Sequence, residues 1–460
     1  MASNITPIPA SYKDPAGFVY RHDGTIYRQI NRRAKPDYDQ LMSSGLYEEL
    51  IVREQMMSHK EVSLAKKATA DAYKIIQPDQ IPFISYPYEW SFSQLKDAAL
   101  LTLAIQSAAL EHGLSLKDAS AYNVQFIQNK PVFIDTLSFE KYPEGKPWVA
   151  YRQFCQHFLA PLALAAYVDI RFLLLQKQYL DGFPLDLASK LLPRRTVFNL
   201  GLSMHLHAHA KSQAHFADKK TAQVKSASIL IHALKGIISH LHSTVKGLKL
   251  SKSDTEWGEY YTFTNYSDES FDYKKKLISQ FVSEIKPSVV LDLGANTGEF
   301  SRAAVKNAQL VVSTDYDLLA VEKNYLQVKA NNETKILPLV LDVTNPSSSH
   351  GWAGTEREDF FSRGKFDMIL ALALIHHLVI TFNLPLSSVA QFLSQQAPYL
   401  IIELVPKNDS QVKKLLQNRE DIFTDYDEAG FEAAFGKYFK TLQKEAVKGS
   451  QRTLYLLKRI

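Results

Sequence analysis

The run Val289–Phe300, VVLDLGANTGEF, constrains the fold more tightly than any other part of the chain. Val289, Val290, Leu291 and Leu293 flank Asp292 as in a buried parallel strand, and Glu299-Phe-Ser-Arg-Ala-Ala-Val begins a helix. Between them lies Gly294-Ala-Asn296-Thr-Gly298. A strand-to-helix turn bounded by glycines lets backbone N–H groups approach a ligand closely, at the carboxyl end of the sheet. The spacing is G-x-N-x-G, which argues against the G-x-G-x-x-G seat of a dinucleotide pyrophosphate.

Four further apolar segments follow, each with a polar group at its carboxyl end. Ala308–Thr314 runs into Asp315-Tyr316-Asp317, and Lys335–Leu341 into Asp342-Val343. Lys365–Leu374 runs into Ile375-His376-His377, and Pro398–Pro406 carries Glu403. Asp315 lies 17 residues beyond Gly298 (315 − 298), near the spacing at which a second-strand carboxylate can accept both hydroxyls of a ribose. Tyr316 would sit against a base, with Asp317 its solvated neighbour, and Asp342 could accept an exocyclic amino group or simply close a turn before Thr-Asn-Pro. His376, His377 and Glu403 fit either a reaction centre or ordinary backbone hydrogen bonding. The pattern predicts an α/β architecture.

The D-x-G-x-x-x-G turn and its strand-end acids resemble class I S-adenosylmethionine (SAM)-dependent methyltransferases, and the stretch 255–460 is similar to nodulation-protein-like bacterial relatives of that group. The resemblance implies a Rossmann-like seven-stranded domain with SAM as cofactor. It assigns cofactor contacts to Asp292, Gly294, Asn296, Gly298, Asp315, Tyr316, Asp342 and Val343, and leaves His376, His377 and Glu403 as the catalytic candidates. The helix and strand expected from Glu420–Phe431 and Ser450–Lys458 would complete the final antiparallel hairpin. No Asn/Asp-Pro-Pro-Tyr/Phe follows the fourth segment, where Ala373-Leu-Ile-His stands instead. That speaks against methylation of a nucleobase or glutamine amino group and favours oxygen or small-molecule acceptors. Small or glycan-like acceptors, a protein substrate, and a non-catalytic SAM-binding scaffold all remain open. Before the first segment, Thr255–Glu269 carries Trp257, Tyr261 and Tyr266, suited either to line the site or to pack under a helix at Tyr273–Ile285.

The N-terminal part reads as α+β. Gly17–Ile30 is a hairpin turning at Asp23-Gly24, and apolar-periodic helices are predicted around Asp37–Glu54 and Ser93–His112. Asp118, Asn123, strands at Val124–Ile127 and Pro131–Ile134, and then Asp135 resemble the catalytic and metal-binding segments of protein-kinase-like phosphotransferases. The resemblance implies a base at Asp118 and magnesium ligands at Asn123 and Asp135. Leu116 replaces the family's histidine, Asp135-Thr-Leu replaces Asp-Phe-Gly, and neither a glycine-rich phosphate loop nor a strand-three lysine is evident. An accessory lobe is therefore expected, without phosphotransfer. Trp148, Tyr151, Phe154 and Phe158 read as helix core.

The expected domains are 1–175, a basic helical connector at 176–254, and the methyltransferase domain at 255–460. The connector holds eight lysines and one acid, Asp218, between Lys211 and Lys252, with Ile229–Val245 apolar at helical spacing. Such a helix either packs its stripe on a neighbour or lies on an anionic surface. His205, His207, His209 and His215 crowd upstream, but no acid or cysteine ligand accompanies them and no metal is expected. A net charge of +5 and the lack of any Cys/His spacing or aromatic-interleaved basic patch point to no nucleic-acid module. The longest near-apolar run, Phe158–Leu175, is broken by Asp169 and Arg171, so no membrane-spanning segment is expected. With Cys155 as the single cysteine there is no disulfide, and the default setting is cytoplasmic.

Overall fold

A computed structural model describes residues 5–209, 230–250, 268–417 and 419–460. Two compact units emerge. The first takes the described residues up to 250 together with Ser349–Glu358, a piece of the chain drawn from far downstream. The second takes 268–348 and Asp359–Ile460. Trp257, Tyr261, Tyr266 and His215 lie outside the described residues, as does most of the lysine-rich run.

The first unit opens with a five-stranded antiparallel sheet in the order β1-β2-β3-β5-β4, formed by β1 (Ile5–Pro7), β2 (Gly17–His22), β3 (Thr25–Asn31), β4 (His59–Val62) and β5 (Ala72–Pro78). Asp23 and Gly24, at φ 49° and 80°, make the two-residue turn between β2 and β3. Positive φ at both positions matches the right-handed twist of the flanking strands. The helix expected over Asp37–Glu54 is two helices, Lys35–Ser43 and Leu46–Val52, because Gly45 takes a left-handed conformation between them. Helix Phe92–Glu111 starts at a capping box of Ser91 and Gln94 and is buried on most of its surface. Two small antiparallel two-stranded sheets follow, β6 (Leu114–Leu116) with β9 (Phe139–Lys141) and, between them in the chain, the hairpin β7 (Val124–Ile127) with β8 (Lys130–Phe133). Trp148, Phe154 and Phe158 are core, and the indole N–H of Trp148 donates to the Leu116 carbonyl. In helix Ile231–Gly247 the apolar stripe Leu234, Ile238, Leu241 and Val245 is buried, packed on Phe92–Glu111.

The second unit is a seven-stranded sheet flanked by helices. Its strands are β10 (Val289–Leu293), β11 (Leu310–Asp315), β12 (Ile336–Val340), β13 (Met368–Ala371), β14 (Tyr399–Leu404), β15 (Phe439–Ala446) and β16 (Thr453–Arg459). The order is β12-β11-β10-β13-β14-β16-β15. β10 to β14 are mutually parallel, while β16 runs antiparallel to both its neighbours. This is the class I methyltransferase strand order. Order reverses between β10 and β13, and the crevice beyond the carboxyl ends at such a switch point is where open α/β sheets hold ligands. Helix Asp268–Ile285 packs Leu277, Ile278, Phe281 and Val282 against Val290, Val311, Met368 and Ile401 of the sheet. This core fixes the strand ends that carry the site. β15 is exposed and carries little apolar signal, so the sequence does not mark where this strand of the expected final hairpin lies.

Candidate functional site

The glycine turn after β10 is built by its backbone angles. Gly294, Asn296 and Gly298 have φ of 72°, 51° and 83°. A side-chain carbon at Gly294 would meet only Leu374 Cδ1, at 3.5 Å, so the loop stands clear there. At Gly298 the same carbon would lie 2.5 Å from Asn324 Oδ1 and 2.8 Å from an Arg302 nitrogen. That glycine is demanded by packing as well as by conformation.

Two buried acids organise the turn. Asp292 receives the Ser301 hydroxyl at 2.6 Å, and Ser301, Ser313 and Asn324 continue the polar chain beneath the first helix. Burial pushes the Asp292 carboxyl up to about 7. Asp315, at the end of β11, accepts the Asn296 N–H on Oδ2 at 2.8 Å and the Asp317 N–H on Oδ1 at 2.9 Å. It is 7% exposed, and burial pushes it up to about 6. One carboxylate thus ties the second strand to the glycine turn, with lone pairs left over on each oxygen. Asp317 is buried rather than solvated, because it caps helix Leu318–Ala330 through the Leu319 and Ala320 N–H groups. Tyr316 is exposed. Asp342 is exposed beyond β12, Val343 is half-buried, and Asp342 takes the Thr344 N–H and hydroxyl in a local turn.

A second cluster lies at the ends of β13 and β14. Glu403 is fully buried, accepting the Ala373 N–H at 2.7 Å and ion-pairing with the equally buried Lys274 at 2.6 Å. Arg452 adds a positive charge 3.9 Å from Glu403. Ala373 has φ of 49°, a left-handed conformation uncommon for a residue with a side chain, so the loop after β13 is strained where Glu403 holds it. Three residues on, His376 is fully buried and neither ring nitrogen has a partner among the described residues. Burial, the adjacent His377 and the charges of Arg452 and Lys274 hold its pKa well below the ordinary value. His377 is half-buried, its ring 4.2 Å from that of His376, and is pushed down to about 4, chiefly by burial. Lys274 was not foreseen. Its signal is a lysine inside the apolar stripe Phe271, Ile278, Phe281, Val282 and Ile285.

In the first unit the kinase-like residues do come together. Asp118 accepts from Ser120 N–H and Gln153, Asn123 donates to the Ser138 hydroxyl, and Asp135 accepts from that hydroxyl at 2.5 Å. Asp135 also ion-pairs with Arg28 on β3, a residue sequence reasoning passed over. The protein's own guanidinium occupies the carboxylate that the resemblance offered to magnesium. Elsewhere, His205 bridges the Tyr151 hydroxyl and His240, and His207 bridges Ser189 and Thr196. Among the described residues no group of three or more His, Cys, Asp or Glu is placed to hold a metal.

No family model matches the chain. It is 35% identical, over 463 aligned positions, to the nodulation protein NoeA of Rhizobium meliloti (strain 1021), spanning 98% of this chain and 96% of that protein. The chain belongs to the NoeA family. For this NoeA relative, solved structures with partial likeness include the N-methyltransferase NodS of Bradyrhizobium japonicum WM9 (11% identity, 42% of this chain and 98% of that one, TM-score 0.30). Another is the magnesium protoporphyrin IX methyltransferase ChlM of Synechocystis PCC 6803, described with bound SAM (14%, 46% and 87%, TM-score 0.29). A third is the bifunctional kinase-methyltransferase WbdD, of which this chain spans 40% (18% identity, 42% of this chain, TM-score 0.29). The methyltransferase fold of this NoeA-family chain rests on its own strand order.

Proposed function

We propose that the chain transfers a methyl group from SAM to a small-molecule or glycan-like acceptor, through oxygen. The observation that carries the reading is Asp315, a buried carboxylate at the carboxyl end of β11 that accepts the Asn296 N–H of the glycine turn on one oxygen and the Asp317 N–H on the other. Bound SAM would supply a methyl group already activated on a sulfonium. In this reading the turn Gly294–Gly298 lies along the methionine end of the cofactor, with Asp292 bracing it from beneath. Asp315 accepts the ribose hydroxyls, Tyr316 lies against the adenine, and Asp342 with Val343 meets its amino edge.

The residues mainly position the reactants, for proximity can be worth roughly 7–11 kcal/mol at best. An oxygen acceptor must also lose its proton. His376, neither of whose ring nitrogens has a partner among the described residues, is the candidate to take that proton, acting as a weak base because burial and neighbouring charges hold its pKa well below the ordinary value. Glu403, anchored by Lys274, holds the strained loop that presents the histidine. The first unit would serve acceptor binding rather than phosphotransfer, in a cytoplasmic setting.

Calorimetric titration with SAM tests the reading, followed by intact-mass analysis of lysate fractions treated with labelled SAM. Micromolar binding and label on small or glycan-bearing molecules are expected. Label on protein bands would replace the acceptor assignment, and no SAM binding would end the proposal.

A further inference from the structure

We infer that the loop Arg194–Leu200 of the first unit is a docking surface for an anionic lipid membrane. Phe198 is 89% exposed and Leu200 79% exposed, while Val197 and Met204 beside them are also exposed. Single exposed apolar residues are ordinary, but four within eight positions are a patch.

The loop is held in shape. Thr196 is buried, its hydroxyl bonded to the Pro193 carbonyl and to His207 Nε2. The Asn199 side chain caps the following turn at the Leu202 N–H and donates to the Tyr167 hydroxyl. His207, whose other ring nitrogen bonds Ser189, anchors the base of the loop to helix Leu185–Leu191. This accounts for one of the clustered histidines without a metal. Phe198 and Leu200 flank the tethered Asn199, so their exposure is imposed by the fold.

The charge beside the patch selects the occupant. Arg194 and Arg195 are exposed, and among the described residues neither has an ion-pair partner. Lys190, on the neighbouring helix, is paired with Asp186. Aromatic and aliphatic tips edged by unpaired arginine suit insertion at the headgroup boundary, where anionic lipids meet the basic side chains. A protein partner of complementary charge would have to present an acidic, concave face. A bilayer offers negative charge and apolar depth together.

The test is co-flotation of the full chain with phosphatidylcholine vesicles, with and without phosphatidylglycerol. The full chain should bind the anionic vesicles and bind them less as salt is raised. Arg194→Glu/Arg195→Glu should lower the partition roughly thirtyfold or more, from the lost attraction of two basic residues. Phe198→Ser/Leu200→Ser should lower it at least as far, with an unchanged circular dichroism spectrum. Failure of the unaltered chain to float, or equal flotation of either variant, overturns the inference. So does a dimer in solution that Phe198→Ser/Leu200→Ser disperses, since the patch would then be covered by a second copy.

Discussion

Replacing Asp315 by asparagine separates the two tasks assigned to that residue. The carboxylate accepts the Asn296 and Asp317 N–H groups at 2.8 and 2.9 Å and, in the proposed complex, both ribose hydroxyls. Asparagine keeps one acceptor oxygen and turns an NH2 group towards the other backbone donor. One buried N–H is orphaned, at a cost of about 1–3 kcal/mol. Part of this is offset because the buried carboxylate is itself disfavoured, its pKa standing at about 6. The net change in stability should therefore be small enough for the variant to remain folded. SAM affinity should suffer more clearly. Losing one charge-assisted hydrogen bond to a ribose hydroxyl is worth about 1.5–3 kcal/mol, or roughly 10- to 150-fold in Kd. Calorimetry on the folded variant reads this directly, with a thermal melt as the control. A folded Asp315→Asn protein whose SAM affinity lies within about twofold of the parent would refute the placement of the ribose.

Other expectations follow from the same geometry. Asp292 and Asp315 have pKa values raised by burial to about 7 and 6, so the ligand-free protein binds protons that the unfolded chain releases above about 4. Their contribution to stability should be present below about pH 4 and lost as pH rises through 6 to 7, as chemical denaturation across that range would show. SAM affinity should run the other way, falling as pH drops below about 6, because a protonated Asp315 accepts poorly. Lys274→Met leaves the Glu403 charge buried and should cost about 3–5 kcal/mol, whereas Lys274→Met/Glu403→Gln should recover much of that in a double-mutant cycle by urea denaturation. A fragment spanning 255–460 should fold and bind SAM within about tenfold of the full chain. Its 349–358 stretch should become protease-sensitive, since Glu356 loses Lys13 at 3.0 Å and Arg357 loses the Tyr122 ring at 4.0 Å.

The second unit was largely legible because its strands are buried on both faces and read as short apolar runs ending in acids. β10 (Val289–Leu293), β11 (Leu310–Asp315) and β14 (Tyr399–Leu404) lie on the apolar runs that begin at Val289, span Ala308–Thr314 up to Asp315, and span Pro398–Pro406. The place of β15 in the expected hairpin is not marked because it is an exposed strand without apolar alternation. The split at Gly45 depends on one left-handed residue, a detail that helical periodicity does not encode. Of the site, the acids were visible and their partners were not. Nothing local shows that Lys274, 129 residues before Glu403, would be buried against it, or that Arg28 would reach Asp135 across 107 residues. Likewise Ser349–Glu358 reads as an ordinary loop, and only tertiary packing assigns it to the first unit.

The most direct measurement is a crystal structure of the full chain with S-adenosylhomocysteine. Its ribose hydroxyls should lie within hydrogen-bonding distance of the Asp315 carboxylate, its homocysteine should run over Gly294–Gly298, and its sulfur should face the loop bearing His376. Ligand density elsewhere, with Asp315 still engaged by backbone N–H groups and no ribose, would contradict the assignment of the site.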